Sequence, residues 1–71
     1  MRKYKHKPKD QAYYKVNSIE SYNIIDTRKP LGKFIHIYPS GIVSAIDNED
    51  GNAWTEDFTS RTRAITWLFQ T

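Results

Sequence analysis

The sequence predicts an α+β fold, an antiparallel sheet of three to four strands with one C-terminal helix packed on one face. Three observations carry this expectation. Residues 33–38 (KFIHIY), 42–47 (IVSAID) and 53–58 (AWTEDF) are rich in β-branched and aromatic side chains and are separated by strong turn formers. Residues 61–70 (RTRAITWLFQ) place Ala64, Ile65, Trp67, Leu68 and Phe69 on one broad arc at 100° per residue, with Thr62, Arg63, Thr66 and Gln70 opposite. A chain of 71 residues without cysteine has room for one thin core and no disulfide framework.

Taken in order, residues 1–11 (MRKYKHKPKDQ) carry too much charge and too little apolar surface to offset the entropy of ordering, so they read as a disordered basic tail. Residues 12–71 read as a single ββββα-type domain. In its first stretch, Tyr13, Tyr14 and Val16 suit a short edge strand, while Ser18, Glu20 and Ser21 suit a turn. Residues 22–26 (YNIID) read as a β-type run, and Pro30 and Gly32 mark the turn that follows. Pro39-Ser40-Gly41 joins the next two strands as an antiparallel hairpin, and Asp50-Gly51 supplies the positive φ a tight turn needs before the last strand. Thr59 or Ser60 caps the helix.

A single helix covers a single sheet face. On residues 33–38 one parity carries Ile35 and Ile37, the other Phe34, His36 and Tyr38. If the isoleucines face the helix, the open face displays the three aromatic rings as a binding or dimer surface. If the strand is inverted, Phe34 and Tyr38 enter the core. Both parities are apolar, so period-two logic leaves the choice open.

Charge is unevenly distributed. Residues 1–15 carry Arg2, Lys3, Lys5, Lys7, Lys9 and Lys15 against Asp10, a net +5, and residues 16–71 sum to −2. A domain that binds nucleic acid through its folded surface usually has a basic body. The five carboxylates Asp47, Glu49, Asp50, Glu56 and Asp57 form a cluster suited to a basic protein surface, such as a nucleic-acid channel. Arg2, Lys3, Lys5, Lys7 and Lys9 are the candidates for phosphate contacts if the tail binds nucleic acid.

Catalytic and metal motifs fail on spacing. With Gly51 at position 6 of a calcium loop, position 1 is Ile46, which cannot ligate. His36 is the one histidine outside the tail and has no partner at zinc-ligand spacing. Ser40 and Ser44 have no base beside them in sequence. A non-enzymatic protein without metal or cofactor is expected. No apolar run spans a membrane and no apolar stretch follows the basic start, so a cytoplasmic location is expected.

The segment from Gly51 through Trp54, Phe58 and Ala64 to Trp67-Leu68 is a Gly turn, a strand, a polar cap and a helix. It resembles the last strand and helix of small phage and transposon domains, including the arm-type DNA-binding domains of integrases. The DNA-reading strands of that family carry basic and polar residues, and the matching positions here carry Glu56 and Asp57. In size and charge layout the whole chain resembles the accessory proteins of phages of Gram-positive bacteria, among them anti-CRISPR proteins, which block an RNA-guided nuclease. That resemblance implies an inhibitor that binds a host nucleic-acid-processing protein, and the strand parity and charge layout make Phe34, His36, Tyr38 and the carboxylate cluster its candidate contact residues. The alternatives are a nucleic-acid-binding module using the tail and sheet aromatics, and a homodimeric structural protein.

Overall fold

The computed structural model describes residues 13–70, and its elements run β1 (Tyr14–Lys15), α1 (Ser18–Thr27), β2 (Lys33–Ile37), β3 (Val43–Asp47), β4 (Trp54–Phe58) and α2 (Arg61–Phe69). The α+β expectation holds, and the strands form one sheet in the order β1-β2-β3-β4. The two hairpins β2–β3 and β3–β4 are antiparallel as expected. β1 pairs parallel to β2, so the sheet is mixed. The reason is α1. A helix between two neighbouring strands carries the chain back to its starting end, and the second strand then runs parallel to the first.

α1 overturns the reading of residues 22–26 as a strand. Asn17 and Glu20 form a reciprocal capping box: the Glu20 N–H donates to Asn17 Oδ1 at 2.7 Å, and the Asn17 N–H donates to Glu20 Oε1 at 2.8 Å. Arg28 closes the helix in the left-handed region with φ 63, its N–H donating to the Ile24 carbonyl at 2.7 Å. The helix buries only Ser21 and Ile24 and turns Ile19, Tyr22 and Ile25 outward. Its apolar period therefore runs along the solvent side, where a search for a core-facing stripe does not look.

α1 also overturns the single-helix layout. α2 covers one face of the sheet, where Ile35, Val43, Ala45, Ala64 and Leu68 are buried with Tyr13, Phe58, Trp67 and Phe69 packed around them. α1 sits on the other face, over Phe34, Ile46 and Ile24, with Val16 and Ala53 at the margin. The result is three layers, helix, sheet, helix. Ser60 caps α2, accepting the Arg63 N–H at 3.1 Å.

The first hairpin turn closes by the Gly41 N–H donating to the Tyr38 carbonyl at 2.9 Å, with Gly41 at φ 98. The second turn is organised from inside by Asn48, which is fully buried. Its backbone exchanges two hydrogen bonds with Gly32, its amide donates to the Pro30 carbonyl at 2.8 Å, and its Oδ1 accepts the Ala53 N–H at 3.0 Å. One polar side chain thus ties the α1–β2 loop to the β3–β4 turn and satisfies groups that would otherwise be buried unpaired.

Candidate functional site

The aromatic row expected on residues 33–38 is not an open platform. Ile35 faces α2, and the opposite parity carries Phe34, but α1 lies over it and leaves Phe34 5% exposed. The Tyr14 ring is tilted against Phe34 at 6.1 Å between centroids. His36 is half-buried, donates its Nδ1 proton to the Val16 carbonyl at 3.0 Å, and meets the half-buried Tyr38 ring edge-on at 4.5 Å. Of the three residues proposed as a contact row, Phe34 is core, and the other two are engaged with each other and with β1's exit.

The carboxylate cluster is contiguous in sequence and dispersed in space. Lys33 Nζ lies 3.1 Å from Asp47 and 3.5 Å from Glu49, so one positive charge is shared between the first two members. The pair with the exposed Glu49 is worth little, while that with Asp47 is part-buried. Asp50 accepts from the Asn52 backbone and side chain, both at 3.0 Å, and from the Trp54 indole at 3.3 Å. These bonds, the Asn52 backbone N–H foremost, hold its carboxyl below the ordinary value of 3.8. Glu56 and Asp57 are neighbours on β4, so they point to opposite faces of the sheet. No single acidic patch results.

The register does bring together a set of residues that sequence proximity hides. His36 pairs with Ser44, and Ser44 pairs with Asp57, so the three lie side by side across β2, β3 and β4. These are the residue types of a nucleophilic triad, but the connectivity differs. Such a triad needs the imidazole between the hydroxyl and the carboxylate. Here the hydroxyl is in the middle: Ser44 Oγ donates to Asp57, and His36 bonds to backbone. Ser44 is 7% exposed, which closes it to substrate. The Ser44–Asp57 bond is a part-buried polar tie between β3 and β4. Among the described residues, no group of three or more His, Asp or Glu side chains could hold a metal ion, and no helix is long and apolar enough to cross a membrane. The tail candidates Arg2, Lys3, Lys5, Lys7 and Lys9 lie outside the described residues.

Two surfaces that sequence reasoning missed take the place of these candidates. The first is the outer face of α1, where Ile19 is 70%, Tyr22 64% and Ile25 37% exposed. At three-residue spacing the side chains form one stripe, and Tyr22 and Ile25 border a shallow concavity with Asn23, Asp26 and Arg28. The Asn17-x-x-Glu20 capping box was the available signal for this helix. The second is the end and edge of the sheet at β4, where Trp54 is 59% exposed and Leu31 packs near Gly51 while remaining 64% exposed. A cleft of about 320 Å³ separates α1 from the sheet and is lined by Val16, Ile24, Pro30 and Phe34, with Glu20, Asn23 and Lys29 also on its wall.

No protein-family model matches the chain, and no curated protein or solved structure does either.

Proposed function

We propose that the chain is a non-catalytic binding protein that docks on another protein through the outer face of α1. The observation that carries this reading is the Ile19, Tyr22 and Ile25 stripe, held on a helix closed by caps at both ends and exposed to solvent among the described residues. A rigid aromatic and two β-branched side chains, flanked by Asp26 and Arg28, have the make-up of an interface core with a polar rim.

The more specific reading is a phage-type, anti-CRISPR-like inhibitor acting in the bacterial cytoplasm on a host nucleic-acid-processing protein, an RNA-guided nuclease being the first to try. Its support is the net −2 of residues 16–71 beside a basic leader, and the lack of ion pairs at Asp50, Glu56 and Asp57 among the described residues. The burial of Phe34 takes one ring from the aromatic row of the nucleic-acid-binding alternative, which keeps the half-buried His36 and Tyr38 and the basic tail residues. A homodimer would use the same α1 stripe.

Photo-crosslinking tests this directly. A benzophenone side chain replaces Tyr22 in one full-length variant and Arg63, exposed on the far side of the sheet, in another. Each is irradiated with purified RNA-guided nuclease complexes. Adducts to a nuclease protein from position 22 and not from 63, lost on Ile19→Asp, are expected. Adducts to nucleic acid from position 22, or to a second copy of the chain alone, would overturn the reading in favour of one of the alternatives.

A further inference from the structure

β4 is an outer strand of the sheet and is exposed over Trp54–Asp57. The phase of its hydrogen-bonding follows from one pair. Gly32 and Asn48 exchange both backbone bonds, at 3.2 and 2.7 Å. In an antiparallel ladder such doubly bonded pairs alternate with unbonded ones. Phe34↔Ile46 and His36↔Ser44 are therefore the bonded pairs of β2–β3. Ser44 and Ile46 spend their backbone groups on β2, so β3 bonds β4 through Val43, Ala45 and Asp47, opposite Phe58, Glu56 and Trp54. That leaves the N–H and C=O of Thr55 and Asp57 directed outward from the sheet.

Protected edges carry a bulge, a proline, a lysine, other charged side chains or a covering loop. β4 is five regular residues with none of the first three, and it carries Glu56 on the α2 side and Asp57 on the α1 side. A second copy is a poor occupant. The antiparallel register centred on Glu56 sets Glu56 against its own copy, and like charges directly opposite are destabilising. Shifting the centre to Thr55 pairs Asp57 with Ala53, whose φ of 50 takes it out of the strand. The charge that complements this edge is positive on both faces of the incoming strand. Arg63 lies beside Phe58, so the cations belong opposite Glu56 and Asp57 and away from the Phe58 end.

We propose that the edge of β4, unpaired among the described residues, accepts an extended, lysine- or arginine-bearing segment of another protein as a fifth strand. Thr55 and Asp57 supply the backbone bonds, Glu56 and Asp57 select the charge, and Trp54 packs on an apolar neighbour. The choice of a protein as occupant rests on the function proposed above, while the surface is a different one from the α1 stripe.

The test titrates the full-length chain with blocked peptides of alternating lysine and valine, read by Trp54 emission in a Trp67→Phe background and by amide shifts at Thr55 and Asp57. The lysine peptide is expected to bind, to weaken as salt is raised, and to bind at least about tenfold more tightly than its glutamate counterpart. Glu56→Lys is expected to erase or invert that preference. Thr55→Pro removes an outward N–H and no ladder bond, and is expected to weaken binding by about tenfold. N-methylation of alternate peptide residues has the same aim without altering the fold. Equal affinity for the two peptide charges, or affinity untouched by N-methylation, would overturn the proposal. Nuclease crosslinking through position 22 together with either of those results would leave the function standing and remove the β4 site alone.

Discussion

The two faces of the sheet are built differently. Under α2 the core is broad: five buried residues ringed by Tyr13, Phe58, Trp67 and Phe69. Under α1 it is narrow, three buried residues with Val16 and Ala53 beside them. α2 turns its apolar arc inward and has one side-chain cap at its start. α1 turns its apolar stripe outward and has a capping box, a left-handed C-cap and a Ser21 hydroxyl that donates to the Ser18 carbonyl at 2.9 Å. One helix is held by what it buries, the other by how its ends are closed. A helix of the second kind can spend its apolar side on something other than its own core, which is why α1 carries the proposed interface.

The largest expected effect lies on the broad face. Leu68→Ala should cost about 2–5 kcal/mol, seen as a drop in Tm of roughly 4–8 °C per kcal/mol. A loss no greater than that of a surface substitution would mean that the two faces do not differ as described. An effect of similar size belongs to Asn48, which ties the α1–β2 loop to the β3–β4 turn. Asn48→Leu fills a similar volume but strands the Pro30 carbonyl and the Ala53 N–H, at about 1–3 kcal/mol for each unsatisfied group. Urea denaturation reads it.

On the narrow face, Asn17→Ala removes the capping box and should cost about 1 kcal/mol. Amides of α1 should then exchange with solvent faster while those of α2 hold their rates, which hydrogen exchange resolves residue by residue. Ile19→Ser should change stability by no more than about 0.5 kcal/mol, because the side chain it removes touches mostly water. A large loss there would move Ile19 into the core and take the interface with it.

The smallest effect is a pH dependence. Asp50 has its carboxyl lowered in the folded chain by bonds from Asn52 and Trp54. A lowered folded value stabilises the turn above the ordinary carboxylate range and loses that contribution as pH falls through the folded value. In a Trp67→Phe background, Trp54 emission should therefore titrate below pH 3.8. Asp50→Asn should abolish the inflection.

Much of the hairpin half was legible in advance. Lys33–Ile37, Val43–Asp47 and Trp54–Phe58 fall within the three expected runs, and Ser60 was one of the two expected caps of the final helix. Each of these elements declares itself locally, through β-branched composition, Gly and Pro punctuation, or an apolar arc that meets its own core. The site was not legible in the same way. The carboxylate cluster existed only along the chain, because strand alternation sends Glu56 and Asp57 to opposite faces and the β2–β3 register sets Lys33 opposite Asp47 and within reach of Glu49. The Ser44–Asp57 bond was invisible for the complementary reason, since register alone makes those residues neighbours.

Local sequence therefore suffices for the antiparallel meander and the C-terminal helix, whose side-chain periods and turn residues act over a few positions and need no long-range context. Long-range packing set the rest: that residues 18–27 form a helix, that β1 joins parallel, and that Phe34 is covered. Helix α1 buries two residues and points its apolar side outward, so its hydrophobic pattern carries no inward signal. The capping box and the space above Phe34 and Ile46 place it, and that space exists only once the sheet has formed.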